Sequence, residues 1–203
     1  MIHGHSVILR ALERRDLEQL WKWENDPEVM EYASSSPERC VSHEALVRMF
    51  ESGISADSFP KRYIIALKNG ESLGLISYWM PNSRFNASAD VGIYIGEKSQ
   101  WHRGYGSDAI MALARVLFHH LNFHRIGFSL GSHNQRMRAV LEKCGMKCEG
   151  VIREDRYFHG QYWDTIRMGC LRQEFEAAWE RREGESSSEH TPEPECAADI
   201  ARV

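Results

Sequence analysis

The segment with the most chemical content runs from Asp90 to Ile110 and reads DVGIYIGEKSQWHRGYGSDAI. A strand pattern leads through a loop to Gly104-Tyr105-Gly106, where a helical pattern begins. Glycine lets the backbone approach a ligand closely, and the first amides of a helix are unpaired and partly positive. The segment therefore predicts a binding turn for a phosphate or pyrophosphate group, with His102 and Arg103 as further donors.

Three interpretations of this glycine pair are open. The simplest is a plain glycine-rich turn. The second is a dinucleotide-binding fingerprint, because Gly104-x-Gly106-x-x-Ala109 fits the spacing G-x-G-x-x-A. That fingerprint should follow the first strand directly and be followed about 20 residues later by an acidic residue. Here several predicted strands come first, and residues 126–134 contain no Asp or Glu, which argues against the fingerprint. The third interpretation is an acyl-CoA site.

The elements that must position this turn are predicted from hydrophobic periodicity and turn signals. Strands are expected at 7–10, 62–68, 72–79, 89–96, 125–130, 149–158 and 162–171. Helices are expected after the N-cap candidates Asp16 and Ser42 and at 106–121, 134–144 and 173–182. The fold class is therefore α/β with a mixed central sheet: an antiparallel meander, then strand–helix–strand–helix, then a C-terminal hairpin.

Composition limits the function classes. The chain has 203 residues, of which 42% are hydrophobic and 27% are charged, and it has no apolar run of the ~18 residues that a membrane span needs. Residues 183–203 hold six acids and one arginine, so they carry the acidic balance, and 1–182 is almost neutral. We therefore expect one domain over 1–182, a disordered acidic tail over 183–203, and neither a nucleic-acid nor a membrane partner.

The five cysteines are scattered and form no CxxC pair. This pattern is typical of reduced thiols and predicts a cytoplasmic location. The ten histidines contain no HExxH motif, so the sequence predicts no metal site.

The segment Trp101 to Gly106 resembles the pyrophosphate loop Gln/Arg-x-x-Gly-x-Gly/Ala of the GNAT (Gcn5-related N-acetyltransferase) superfamily. Within it, the chain is similar to the branch of ribosomal-protein N-terminal and polyamine acetyltransferases, whose loop often reads Trp-Gly-Lys-Gly-Tyr-Gly. Leu9 to Val29, Asn134 to Gly150 and Tyr157 to Asp164 also resemble segments of that branch. The resemblance covers about residues 6–175 and implies a GNAT-like fold.

The resemblance implies direct attack of an amine on acetyl-CoA. Such amines have a pKa near ~10 and need a base. Several lysine acetyltransferases of the superfamily carry a Glu eleven positions before the loop motif, and that position here is Asp90. The alternative for Asp90 is a solvent-facing carboxylate at a strand end. Family members polarise the thioester oxygen with a backbone N–H, which the same offset places near Tyr94.

The group that protonates the leaving thiolate is open. Many members use a Tyr where this chain has Leu141, and this branch often has Ser where it has Met137. Tyr157 is therefore a catalytic candidate, and water or unassisted departure of the thiolate are the alternatives. The missing donor also keeps open a second class of function, a catalytically weak acyl-CoA-binding sensor or interaction module.

The resemblance implies acetyl-CoA as co-substrate. The predicted cofactor residues are Tyr94, Ile95, Gly96, Trp101, His102, Arg103, Gly104, Tyr105, Gly106, Ser107 and Asn134. The acceptor is a small amine or the N-terminus of a peptide or protein. A polyamine acceptor should bring clustered acids, for which Glu154, Asp155 and Asp164 are candidates. A homodimer is left open.

Overall fold

The computed structural model describes residues 1–33, 40–52, 60–80 and 87–188, the last six by their backbone alone. One mixed sheet of eight strands forms the centre of this described part, in the order β1-β2-β3-β4-β5-β6-β8-β7. The strands are β1 Ile2–His3, β2 Val7–Ala11, β3 Lys61–Leu67, β4 Ser72–Trp79, β5 Ser88–Ile95, β6 Arg125–Gly131, β7 Lys147–Phe158 and β8 Gln161–Leu171.

Six α-helices accompany the strands in the described ranges. They are α1 Leu17–Glu24, α2 Pro27–Ala33, α3 His43–Ser52, α4 Tyr105–Arg115, α5 Gln135–Lys143 and α6 Arg172–Ser188. Helix α4 widens into a π-helical turn over Val116–His120 before it ends.

The sheet confirms the predicted mixed topology. Strands β1 to β5 pair in antiparallel order, β5 and β6 are parallel, and β6, β8 and β7 are again antiparallel. The parallel pair requires a crossover, which α4 supplies. Asn69-Gly70 makes the predicted hairpin turn between β3 and β4, and Gly70 has the positive φ of 94° that such a turn favours.

Apolar residues form two clusters on opposite faces of the sheet. The larger cluster packs α4, α5 and α6 against the sheet, with Leu113, Leu141 and Phe175 fully buried or nearly so. The smaller packs α1 and α3 against strand residues of β2, β3, β4 and β5 only. The two faces of β5 therefore have different surroundings.

Several predicted boundaries differ from the structure. Strand β1 and helix α2 were not predicted, and α6 continues six residues past 182. The rest of the predicted tail, 189–203, lies outside the described residues, as do the loop residues 53–59 and 81–86. Ser42 caps α3 as predicted, since its Oγ accepts the N–H of Ala45 at 3.1 Å. Asp16 makes no such cap and instead pairs with Arg10 at 2.6 Å.

Candidate active site

The site begins where β5 and β6 part. The two parallel strands pair over three positions, Ser88↔Arg125, Ala89↔Ile126 and Asp90↔Gly127, and that pairing stops there. From Val91 to Ile95, β5 stays paired with β4 on its other side. The divergence leaves an open backbone edge on β5, next to the N-terminus of α4.

The predicted glycine turn lies directly before α4. Gly104 is the N-cap residue and has a left-handed φ of 80°, which glycine adopts without strain. Its carbonyl accepts the N–H of Asp108 at 3.0 Å and the hydroxyl of Ser107 at 2.8 Å. The first amides of α4, at Tyr105, Gly106 and Ser107, have no preceding helical turn to donate to, so they can donate to an anion.

The turn and the open edge of β5 border one cleft of about 220 Å³, which we call the β5–α5 cleft. The indole N–H of Trp101 donates to the Ile95 carbonyl at 2.8 Å and holds the loop against the strand. The cleft contains ten of the eleven predicted cofactor residues: Tyr94, Ile95, Trp101, His102, Arg103, Gly104, Tyr105, Gly106, Ser107 and Asn134. The eleventh, Gly96, packs so closely against the Trp23 ring that a Cβ at 96 would overlap it.

Asn134 lies at the opposite wall of the cleft and is buried. Its Oδ1 caps α5 by accepting the N–H of Met137 at 3.0 Å, and its Nδ2 donates to the Tyr32 carbonyl at 3.3 Å. Tyr32 belongs to α2, the helix that was not predicted from the sequence. The Arg136 guanidinium lies 5.6 Å from the Trp101 ring and 5.9 Å from the Tyr32 ring, so it connects the two sides of the cleft mouth.

An aromatic cluster continues from Tyr32 to the C-terminal hairpin. The His133 ring packs against Tyr32 at 5.9 Å, Phe158 at 5.4 Å and Trp163 at 5.1 Å between ring centroids. Burial lowers the pKa of His133, so the ring is neutral near pH 7. The cluster connects α2 to β7 and β8.

Asp90 lies at the last rung before β5 and β6 diverge, outside the residues that line the cleft. It is only 6% exposed. Its Oδ2 accepts from the Arg167 guanidinium at 3.2 Å, whereas its Oδ1 is buried and has no hydrogen-bond partner. The structure therefore does not place Asp90 as a solvent-facing carboxylate at a strand end.

The direction of the β5 amides follows from its pairing with β4. Gly96 donates to the Leu73 carbonyl at 2.8 Å, and amides in an antiparallel ladder alternate between the two edges. The Tyr94 amide therefore points towards β4, and the Ile93 and Ile95 amides point to the open edge. The Ile95 carbonyl, which accepts from Trp101 in the cleft, supports the same alternation. The amides that face the open edge are therefore those of the residues on either side of Tyr94, the position predicted from the sequence.

The Tyr94 side chain lies on the face of α1. It packs edge-on against Trp23 at 6.5 Å between centroids. Burial, and then the nearby Glu24 carboxylate, raise the pKa of Tyr94 well above its usual value, so the phenol is neutral.

The structure does not bring Tyr157 to the cleft. It is 64% exposed on β7, where its ring contacts Tyr162 at 5.1 Å. Leu141 is fully buried and Met137 lines the cleft, so neither offers a proton. The three candidate acids for a polyamine are engaged on the hairpin or exposed: Asp155 accepts the Thr165 hydroxyl at 2.6 Å, and Asp164 accepts the Glu154 N–H at 2.9 Å.

Asp108 fixes the helix that follows the glycine turn, through contacts that no sequence pattern predicts. It lies in the first turn of α4 and is 4% exposed. Its carboxylate accepts the N–H groups of His5, Ser6 and Val7 at 2.7–3.1 Å, and it pairs with Arg182 at 2.9 Å. The start of the chain and α6 are thus fixed to the helix that begins at the turn.

The described residues show neither a metal site nor a membrane-spanning helix. Among them, no group of three or more His, Cys, Asp or Glu side chains is placed to hold a metal ion. None of the described helices has the length and apolar character needed to cross a membrane.

The chain matches a known family and several known proteins. The family model described as acetyltransferase (GNAT) domain matches residues 6–147. The spermidine N(1)-acetyltransferase of Escherichia coli (strain K12) is 28% identical over 174 residues, which cover 84% of this chain and 88% of the relative. An N-acetyltransferase of Bacillus licheniformis, p20, is 25% identical over 175 residues, covering 86% and 97%.

A solved structure has a similar fold. A crystal structure of spermidine N-acetyltransferase from Vibrio cholerae, in complex with CoA and spermine, superposes with a TM-score of 0.76 at 26% identity. The match covers 84% of this chain and 98% of that chain.

Proposed function

Because this chain belongs to the acetyltransferase (GNAT) domain family, we propose that its β5–α5 cleft binds acetyl-CoA and that the acetyl group passes from the thioester to an amine. The observation that carries the proposal is the meeting of two sets of open backbone donors in one cleft. The first amides of α4 follow Gly104, and the open edge of β5 faces them. The first set suits a pyrophosphate and the second suits an amide-containing arm.

The pyrophosphate is bound by the amides that follow Gly104. Anions are stabilised at a helix N-terminus by the unpaired N–H groups and by the helix dipole. His102 and Arg103 are exposed beside the turn and add donors, and Asp108 keeps the turn in place from behind. Arg136, already between Trp101 and Tyr32, is close enough to the mouth to meet a phosphate.

The pantetheine arm lies along β5 and ends near Asn134. Its amides pair with the open edge in the manner of an added strand, over the predicted stretch Tyr94, Ile95 and Gly96. The thioester oxygen accepts from an amide on that edge as negative charge develops. The ladder alternation favours Ile93 or Ile95 for this donor over Tyr94 itself.

Asp90 is proposed as the base. It lies three residues before Ile93, and at about 3.3 Å per residue that is roughly 10 Å along the strand, so a water relays the proton. Its Oδ1 is the free acceptor, since Oδ2 is engaged by Arg167. The base is therefore held in one orientation at the point where the strands part.

The leaving thiolate departs without a dedicated acid and takes its proton from water. A thiol has a pKa of about 8.5, so its thiolate is a weak enough base to leave without an acid near neutral pH. The exposure of Tyr157 and the apolar Met137 and Leu141 support this step. The catalytic prediction for Tyr157 stays testable, because Tyr157→Phe should leave the rate unchanged if the thiolate departs in this way.

The experiment that tests the function measures binding and transfer separately. Calorimetry gives acetyl-CoA affinity, and release of free thiol in the presence of an amine panel gives transfer. Asp90→Asn should keep acetyl-CoA affinity and slow transfer by the ~10²–10⁴-fold of a lost base, less so at high pH where more amine is neutral. Glu142→Gln, the same chemical change on the exposed side of α5, is the control. Transfer by Asp90→Asn at the wild-type rate across pH would remove the base assignment.

Assembly and compartment complete the proposal. We infer a homodimer through β7, a twelve-residue strand at the sheet edge that leaves Val151 and Ile152 about half exposed. Light scattering after gel filtration tests the homodimer, and Val151→Lys is expected to shift the measured mass to that of a monomer.

We place the protein in a reducing compartment such as the cytoplasm, because its four described cysteines are free thiols.

A further inference from the structure

Strands β6 and β8 present small and polar residues on the face opposite α4. Residues that pair across neighbouring strands share a face, so Asp90, Gly127 and Gly169 lie in one row. Ser129 and Arg167 form the next paired row of the same face. In the described residues, the apolar cluster under α1 and α3 takes in no residue of β6 or β8. We call this surface, with Arg125 and Glu149 at its rim, the polar face.

The acids of the polar face each have an arginine partner. Asp90 pairs with Arg167 at 3.2 Å, and Glu149 is bound in bidentate fashion by Arg125 through Nε and Nη2. Arg167 also donates to the Ser129 hydroxyl. Both guanidinium groups are part-exposed, with 36% of the Arg167 side chain and 25% of the Arg125 side chain accessible. A guanidinium has five N–H donors, so both retain donors for a ligand.

The Asp90 carboxylate and the Arg125 guanidinium both lie over Gly127. A Cβ at 127 would lie 2.5 Å from Asp90 Oδ1 and 2.9 Å from Arg125 Nη1. Oδ1 is buried and has no partner, on a side chain that is 9% exposed. A buried acceptor without a partner costs free energy, and a water held between Asp90 and a ligand would remove that cost. The absence of a side chain at Gly127 is what leaves room for the Asp90 carboxylate and the Arg125 guanidinium.

We propose that the polar face binds the acceptor, and that the acceptor is a zwitterion whose amine lies close to its own carboxylate, as in an α-amino acid. This rests on the proposed acetyl transfer. The carboxylate accepts from Arg125 and Arg167, and the amine lies one water away from Asp90. A polyamine has no anion to accept from the two arginines, so it gains no hydrogen bond from them. The neutral carbonyl of a peptide or an amide accepts more weakly from the same donors.

The chemical step balances with acetyl-CoA and the amine alone. The ammonium gives a proton through water to Asp90, and the free amine attacks the thioester carbonyl carbon. The N–C bond forms and the C–S bond breaks, the second amine proton passes through water to the thiolate, and Asp90 returns its proton to solvent. The products are the N-acetyl amino acid and CoA.

A matched acceptor panel tests the proposal. Purified protein and acetyl-CoA are incubated with each of the common amino acids, and the best one is compared with its amide, its decarboxylated amine and spermidine by release of free thiol. We expect kcat/KM for the amino acid to exceed that for each of the other three by about tenfold or more, as one charged hydrogen bond would give. A preference for spermidine, the amide or the simple amine overturns the inference and leaves the proposed function standing. No transfer to any acceptor despite acetyl-CoA binding overturns both.

Charge variants give a second readout. Arg125→Gln should lower kcat/KM for the amino acid about tenfold with little change for the amide, and acetyl-CoA affinity should stay the same. Glu149→Gln releases the Arg125 guanidinium and should change the ratio in the opposite direction. Arg138→Gln, an exposed arginine paired with Glu142 on α5, is the control. If Arg125→Gln does not fold, Glu149→Gln alone decides, and an unchanged acid-to-amide ratio overturns the inference.

Discussion

The glycine turn before α4 allows the cofactor site to be tested by charge alone. Gly104 is exposed, and a Cβ there would have the Ser107 Oγ at 4.0 Å as its nearest neighbour, so a side chain fits without a clash. Gly104→Asp and Gly104→Asn differ by one charge and almost nothing in shape. Both residue types tolerate the left-handed φ better than other side chains. The pair therefore separates repulsion from backbone strain.

The expected effect follows from Coulomb's law. At about 5 Å and an effective dielectric constant of about 40, two unit charges interact by about 1.7 kcal/mol. The carboxylate of the Gly104→Asp variant should therefore repel a pyrophosphate with two negative charges by about 3 kcal/mol relative to the neutral amide of Gly104→Asn. That difference is a factor of about 100–200 in Kd. Strain from the positive φ acts on the free and the bound protein alike, so it lowers Tm more than affinity.

The assay is calorimetric titration with acetyl-CoA at two salt concentrations. Gly104→Asn should bind within a few-fold of wild type, and Gly104→Asp about 100-fold more weakly. The gap should narrow at high salt, because the screening length falls from about 10 Å at 0.1 M to about 3 Å at 1 M. Equal affinities for the two variants would show that the pyrophosphate does not bind at this turn.

Three further results are expected. Asp108→Asn should lower the free energy of unfolding by about 3–5 kcal/mol in urea titrations, because buried N–H groups and a guanidinium lose their charged acceptor; a loss below about 1 kcal/mol would contradict this role. Burial raises the pKa of Cys144 to about 11 and that of Cys170 to about 12, so at pH 8 a thiol reagent should label only exposed cysteines, and mass spectrometry of the peptides checks this. Removing 189–203 should leave Tm and transfer unchanged, since that polar segment has few apolar anchors; a clear fall in Tm would contradict it.

Local signals in the sequence were sufficient for much of the fold and for the cleft. Each of these signals determines the backbone conformation of only a few neighbouring residues. They are the Asn69-Gly70 turn, the glycines before α4 and Asn134. Asn134 is the first residue of a predicted helix, and its Oδ1 accepts the N–H three residues on, as a cap does. Such features depend on backbone geometry that residue type alone constrains, which is why they could be placed without knowledge of the tertiary structure.

Helix α2 shows how the same kind of signal can be misinterpreted. Asn25-Asp26-Pro27 predicts the end of a helix, and α1 does end at Glu24. Proline is also favoured at the first position of a helix, and the Asp26 Oδ1 accepts the Glu28 N–H at 3.0 Å as a cap would. The second helix then carries Tyr32 to the cleft. The sequence held this signal, but the stop and the start fall on the same residues.

Other parts of the site depend on contacts that periodicity cannot predict. The bonds from His5 and Ser6 to Asp108 join residues more than 100 positions apart. The pairing of Asp90 with Arg167 joins residues 77 positions apart. The direction of the Tyr94 amide depends on the pairing of Tyr94 with Leu75 of β4. A single residue of offset reverses which amides face the cleft.

The two halves of the reaction meet because β5 has a different neighbour along its two parts. Up to Asp90 its open side is closed by β6, and the shared face there holds a buried carboxylate between two arginines. Beyond Asp90 the strands part, and the backbone donors of Ile93 and Ile95 become available to a ligand. Cofactor and acceptor can therefore approach from opposite faces and meet at this opening.

Gly127→Ala should hinder the acceptor and spare acetyl-CoA. The added Cβ would collide with Asp90 Oδ1, and it lies away from the α4 turn. A Gly127→Ala protein with a raised Kd for acetyl-CoA and an unchanged KM for the amine would show that the two ligands do not divide the site in this way.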